Sequence, residues 1–401
     1  MSYTLMSREG WPTPSQRLLL KVALCRDAEA LHAWEAWRAD NTLDAADHAS
    51  FFVWPQLFVN LRRLGVTAPE METLRGIYRY TWCKNQTATR SIMEVFGLLA
   101  AEAIPSILLK GAPLMLFHYG DPGARLMNDI DVLVPERDLP AAAAVLSARE
   151  WCLTKPLPPT DFLPYVHAAS LTHPRWIELD LHWRALTVDC PREEEAKLWD
   201  RAVTRAVHGA AVRVPDPTDL LLLTCYHGRK RDEHGTCRWV IDAMMLVEDA
   251  SAPVAWETLL ERAEATGLLA PVRDALTYLR QEFAANVPDE VLQRAWAIPS
   301  TARDRTRYEK HLAGFSLRGL SLWGLLVFHW TRFASVQRGQ GRRPGLLGFA
   351  RYLLAYHQWV FDVERRWQVP FVMVGRVLGR LTRRLTARSQ VEQPSPNAPV
   401  A

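Results

Sequence analysis

"RLMNDIDVLV", residues 125–134, sets two aspartates, Asp129 and Asp131, one residue apart in an otherwise apolar run. Strand geometry turns successive side chains to opposite faces, so the aspartates project together while Ile130, Val132 and Val134 face a core. Strand rise spaces the two by about 6–7 Å. Like charges that close raise each other's pKa unless a cation lies between them. A divalent ion removes the conflict, and Mg²⁺ favours one or two carboxylates completed by phosphate oxygens and water. The plainer alternative caps the strand with Asp129 and leaves Asp131 on a solvated edge.

Three neighbouring features bear on that choice. "IPSILLKG" (104–111) is a short apolar run suited to a buried strand, ending in Lys110 and Gly111 at the mouth of a helix-like piece. Glycine lets backbone approach a phosphate, a helix start offers free N–H groups, and Lys110 adds a point charge. The alternative is a strand-terminal lysine in water. Arg125, four residues before Asp129, is a forked and permanent cation. It either binds triphosphate or locks the aspartates by a salt bridge. "RWIELDLHWRAL" (175–186) alternates as a strand, with Ile177, Leu179 and Leu181 on one face and Glu178, Asp180 and His182 on the other. A third carboxylate on a neighbouring strand suits two-metal phosphoryl transfer and can help deprotonate an attacking hydroxyl. His182 either orients Asp180, contacts a phosphate, or is structural; the whole polar face is otherwise an ordinary solvated one.

Outward from this core the chain is helical. Residues 14 to about 103 carry apolar residues at helical spacing; Ile92, Val95, Phe96 and Leu99 share one face. A Gly/Asp/Pro/Gly loop lies at 120–123, and "ERDLPAAAAVLSARE" (136–150) reads as a helix capped by Asp138 with Pro140 in its first turn. From 215, "PDPTDLLLLTCYHG" opens with Asp216 as N-cap and stops at Gly228, and further amphipathic helices follow. In "RWVID" (238–242) Trp239 is expected to be buried while Arg238 pairs with Asp242. His227, followed by Gly228, Arg229 and Lys230, is a weaker candidate for facing the cleft. The expected fold class is α+β. Its regions are 1–90 (helical), 91–214 (core), 215–300 (helical), 301–388 (basic, Trp/Arg-rich, helical) and 389–401 (a disordered tail).

The ordered set "LLKG", Arg125, "NDIDVLV", "IELDLHW" resembles the uncharacterised nucleotidyltransferase family of the DNA polymerase β-like superfamily, over roughly residues 15 to 250. The resemblance implies a minimal nucleotidyltransferase core, a small mixed sheet with flanking helices. It implies Asp129, Asp131 and Asp180 as catalytic and metal-binding carboxylates, with Mg²⁺ or Mn²⁺ as the ion. Lys110 and Gly111 would occupy the nucleotide turn, with Arg125 and His182 also nucleotide-binding. The substrates would be an NTP, ATP first, and an unidentified acceptor hydroxyl or phosphate. Ala112 departs from the superfamily's turn serine, and the gap from turn to aspartates is longer than usual. That departure supports the alternative of a catalytically weak nucleotide-binding scaffold.

The net charge of +4 is too small to call for a polyanion partner, but arginines concentrate towards the C-terminus. Trp323, Trp330, Trp359 and Trp367 interleave with Arg332, Arg342, Arg343 and Arg351, and arginines continue to Arg388. Residues 318–388 suit an anionic membrane surface or a protein partner; a nucleic acid is less favoured, and a packed subdomain with a solvated arginine face is the plain alternative. Six cysteines without CxxC or zinc-type spacing fit free thiols in a reducing compartment. No signal peptide is read at the N-terminus, and no run reaches the roughly 18 apolar residues of a spanning helix. The expectation is a cytoplasmic protein, peripheral to the inner membrane face.

Overall fold

Thr13 opens the first helix with a reciprocal cap: the Gln16 N–H donates to the Thr13 hydroxyl at 3.2 Å, and the Thr13 N–H donates to the Gln16 side chain at 2.9 Å. The computed structural model describes residues 10–375 apart from 187–189, 229–236, 302–304, 307, 310–311 and 313–320. Helices α1 (Pro14–Leu24), α2 (Asp27–Asp40) and α3 (Trp54–Arg63) share a core that includes Leu19, Leu20, Trp34, Trp37 and Leu57. Helix α4 (Glu70–Ala101) buries Ile92, Val95, Phe96 and Leu99 as their spacing predicts.

The sheet follows. Strand β1 (Ile107–Leu109), helix α5 (Gly111–Phe117), strand β2 (Asp129–Leu133), helix α6 (Leu139–Ser147), and strands β3 (Cys152–Leu153), β4 (Ala168–Thr172) and β5 (Glu178–His182) come in chain order. In space the order is β1-β2-β5-β4-β3. Among the described residues only β2 and β5 pair in parallel. Their register sets Asp131 opposite Asp180 and Asp129 opposite Glu178. The fold is α+β, with a small mixed sheet between helices. Asp138 precedes α6, but its side chain makes no cap hydrogen bond, because its backbone is already helical (φ −94°, ψ −3°) rather than extended.

After α7 (Arg192–Arg201) comes a hairpin that the sequence did not suggest, β6 (Val203–Val207) and β7 (Ala210–Val214). Its turn residues His208 and Gly209 both have positive φ, 46° and 87°, as a type I′ turn requires. Then come α8 (Pro217–His227), α9 (Arg238–Val247), α10 (Trp256–Ala265), α11 (Leu269–Phe283) and α12 (Asp289–Ala297). Asp216 caps α8 through the Asp219 N–H at 2.7 Å.

The chain divides into two compact units. One holds everything above except the connection between β3 and β4. The other joins that connection, residues 155–166, to the chain from 322 onward, including α13 (Leu322–Gly339) and α14 (Leu346–Phe361). Its interior is aromatic: Tyr165 packs edge-on to Tyr352 at 4.6 Å, and Phe162 lies 5.7 Å from Tyr352. Phe333 stands 6.1 Å from Tyr165. Arg332 donates to the Tyr165 carbonyl, Gln337 to the Tyr165 hydroxyl at 2.8 Å, and Trp359 to the Pro156 carbonyl at 2.9 Å. Among the described residues no helix is long and apolar enough to cross a membrane.

Candidate active site

At the end of β1 the backbone turns sharply. Lys110 has φ 52° and ψ −116°, a region L-residues rarely occupy and which costs of order 1–3 kcal/mol. The strain aims its ammonium back across the sheet. Lys110 Nζ lies 2.5 Å from Asp131 Oδ1 and 3.3 Å from His182 Nε2. His182 Nε2 is itself 2.9 Å from the same Asp131 oxygen. The other ring nitrogen, Nδ1, faces the Arg184 carbonyl at 3.2 Å. A carbonyl only accepts, so Nδ1 donates to it, and Nε2 is the ring nitrogen that faces Asp131. One Asp131 oxygen thus faces the Lys110 ammonium and the His182 ring together.

Burial works against every charge here. It opposes ionisation of Asp131, yet Lys110 and His182 hold that carboxyl well below the usual range. Burial likewise opposes the Lys110 charge, and Asp131 restores it, leaving the pKa raised. For Asp129 the balance is reversed: burial, then the neighbouring Asp131, push its carboxyl up against the opposing pull of Lys110. Asp180 stands across the parallel register and accepts the Ser170 hydroxyl at 2.6 Å from β4. Asp131, Asp180 and His182 each offer a ligand atom, and these all lie within 4.8 Å of one another. Two carboxylates and an imidazole lone pair form a donor set that fits a divalent ion.

Arg125 is placed elsewhere. Its guanidinium is buried and grips Asp242 of α9 with two parallel bonds of 2.8 Å, and Tyr119 donates to the same carboxylate at 2.7 Å. Burial is opposed at both ends: Asp242 stays below the carboxylate range and Arg125 above its own ordinary value. The expected Arg238–Asp242 pair is thus replaced, because the fork of Arg125 meets both carboxylate oxygens. Arg238 instead donates to the Leu126 carbonyl at 3.1 Å. Arg125 also backs Gly111: a Cβ there would stand 2.5 Å from Arg125 Nη1, so only glycine fits. His227 lies 3.4 Å from the Ala185 carbonyl, and Arg229 and Lys230 fall outside the described residues.

Two residues on α4 escaped the sequence reading. Buried Asn85 donates to the Pro122 and Arg125 carbonyls at 2.6 Å each and accepts the Met127 N–H at 3.2 Å, fixing the loop that leads into Asp129. Lys84 donates to Asn128 at 2.7 Å; burial lowers its pKa while Asp129 and Glu178 oppose the change. The available signal was a stripe of polar residues, Thr81, Asn85 and Thr89, at four-residue spacing and all buried.

A mixed sheet that sets an Asp-x-Asp strand alongside a third aspartate is the arrangement of a phosphoryl-transfer enzyme. Residues 38–284 match the family model described as uncharacterised nucleotidyltransferase, and the chain belongs to that family. Among curated proteins none matches the chain in sequence. The matched span runs from the end of α2 to the end of α11 and contains every residue of the site. The chain is therefore a nucleotidyltransferase, an enzyme acting on an NTP.

Proposed function

We propose that this enzyme moves a nucleoside monophosphate from an NTP, ATP first, to an acceptor hydroxyl or phosphate with the help of Mg²⁺ or Mn²⁺. The observation that supports this best is the convergence of Asp131, Asp180 and His182 within 4.8 Å, with Asp129 on the same strand face. Asp129, Asp131 and Asp180 would hold the ion, and the imidazole lone pair of His182 tilts the set towards Mn²⁺. A divalent ion held there would neutralise charge building on the departing pyrophosphate.

The chain's own groups do the rest. Asp180 uses one oxygen to accept Ser170, which leaves the other to take the proton of an acceptor hydroxyl. The acceptor oxygen then bonds to the α-phosphorus, the bond from that phosphorus to the bridging oxygen breaks, and pyrophosphate leaves. Lys110 is a tethered counter-ion: it neutralises Asp131 before the substrates arrive and, on a partly exposed stem, transfers its charge to the polyphosphate. Arg125 acts through Gly111 by holding the turn open for backbone to approach phosphate, a positioning role. In the same scheme the reaction takes place in the cytoplasm, peripheral to the inner membrane face.

The test is incubation of wild type and Asp129→Ala with each α-labelled NTP, Mg²⁺ or Mn²⁺, and a cell extract. Label passed to an acceptor by wild type alone is the expected result and identifies the acceptor. Tight NTP binding without transfer under every condition would overturn it in favour of a binding scaffold.

A further inference from the structure

No acidic residue stands between Glu309 and Asp362, a stretch that carries Arg332, Arg338, Arg342, Arg343 and Arg351. That stretch holds seven Lys and Arg while the whole chain carries only +4, so the rest of the chain is net negative. Positive charge is thus gathered on the second unit. The same unit exposes large apolar side chains. Leu346 and Leu347, in the first turn of α14, are 80% and 69% exposed, and Trp323 of α13 is 73% exposed.

These residues form stripes. Trp323, Leu326 and Val327 follow helical i, i+3, i+4 spacing on α13 and are all exposed. On α14, Leu347, Arg351 and Leu354 follow i, i+4, i+7 spacing and are exposed too. The turn between the helices reads "GRRPGLL" (341–347), two exposed arginines followed by two exposed leucines. A packed aromatic interior supports these stripes from behind. It takes Phe333 and Tyr352 inside, so the outward leucines and tryptophan are left over from a completed core and not part of an unfinished one.

We infer that the second unit docks on an anionic lipid bilayer, with Leu346 and Leu347 entering the interface and Arg342, Arg343 and Arg351 meeting lipid phosphates. Charge complementarity selects this occupant. An interfacial helix combines a basic polar face with exposed Leu and Trp, and apolar insertion plus attraction to anionic headgroups gives the two signals that stable peripheral binding needs. A nucleic acid would use the arginines and leave the leucines in water. Docking of this kind is independent of the transferase chemistry, so its failure leaves that chemistry untouched.

The experiment is co-sedimentation of the full chain with vesicles of phosphatidylcholine plus phosphatidylglycerol, against phosphatidylcholine alone, at low and high salt. Two double variants accompany it, Leu346→Glu with Leu347→Glu, and Arg342→Glu with Arg343→Glu. All four positions are exposed, and a melting curve for each variant verifies the fold. Expected are binding to the anionic vesicles only, weakened by salt, and a fall of about tenfold or more in each double variant. Equal binding to neutral vesicles, or no binding at low salt, overturns the inference. So does undiminished binding by the folded variants. Failure to bind lipid together with a dimer that the leucine variant dissociates would show a self-association surface, and tighter, salt-sensitive binding to RNA than to vesicles would show a nucleic-acid surface; either result also overturns it.

Discussion

Lys110–Asp131 and Arg125–Asp242 are ion pairs formed around the same turn, but they differ in completeness. Asp242 receives three hydrogen bonds, two from the Arg125 fork and one from Tyr119, and both partners are fully enclosed. Asp131 concentrates two contacts on one oxygen, one from His182 and one from Lys110, a lysine that is 26% exposed and held in strained backbone. The first pair is suited to permanence. The second is suited to exchange, because its cation can leave for water or phosphate while another takes its place. A buried charge pair thus indicates structure or function according to whether its partners have alternatives.

The largest effect should come from removing the exchangeable pair's anion. Asp131→Ala is expected to lower nucleotidyl transfer by about 10³-fold or more, as loss of a main charge-stabilising group does. Its melting temperature should fall much less than that of Asp242→Ala, since Lys110 can turn to solvent. Comparable destabilisation of the two variants would erase the distinction. Asp242→Ala strands a buried guanidinium and should cost about 3–5 kcal/mol in urea unfolding, with Asp242→Asn costing less.

Lys110→Met sharpens the contrast further. With the tethered cation gone, Mn²⁺ titrated without nucleotide and followed by electron paramagnetic resonance should bind about tenfold more tightly, a difference of about 1.4 kcal/mol. Transfer should slow in the same variant. Unchanged or weaker Mn²⁺ binding would mean that Lys110 does not stand in the ion's place.

The smallest effect concerns Asp129 and pH. Its folded pKa is raised above the ordinary 3.8, by burial first and then by Asp131. As pH rises the unfolded chain loses this proton first, so the native state is penalised above that value and not below it. Asp129→Asn should therefore melt slightly higher than wild type at neutral pH, with the gain vanishing on acidification below pH 3.8. Added Mn²⁺ should raise the wild-type melting temperature more than that of the variant.

Local periodicity made much of this legible. Alternation in "NDIDVLV" and "IELDLHW" put Asp129, Asp131, Asp180 and His182 on polar strand faces, and the Asp216 cap followed from its residue types. What stayed hidden depends on contacts distant in sequence. Nothing near Arg125 announces that its partner lies on α9, more than a hundred residues away. Strand β3 has two residues and β4 five with little alternation, too short a period to read. The β6–β7 hairpin turns on His-Gly, not the Asn-Gly or Asp-Gly pair that usually marks a type I′ turn. The role of Lys110 was hidden for a further reason, since its orientation comes from a backbone conformation that residue identity argues against.

The connection at 155–166 lies inside the span matched to the family, whereas its aromatic partners on α13 and α14 lie beyond it. Cutting the gene after the matched span would therefore not yield a clean catalytic fragment. Phe162 and Tyr165 would lose the rings that cover them and become a sticky apolar patch in that connection. A soluble fragment would need a second edit, replacing that connection with a short polar turn between β3 and β4. The chain from 322 onward and the 155–166 connection are therefore one folding unit made of two separate stretches of sequence.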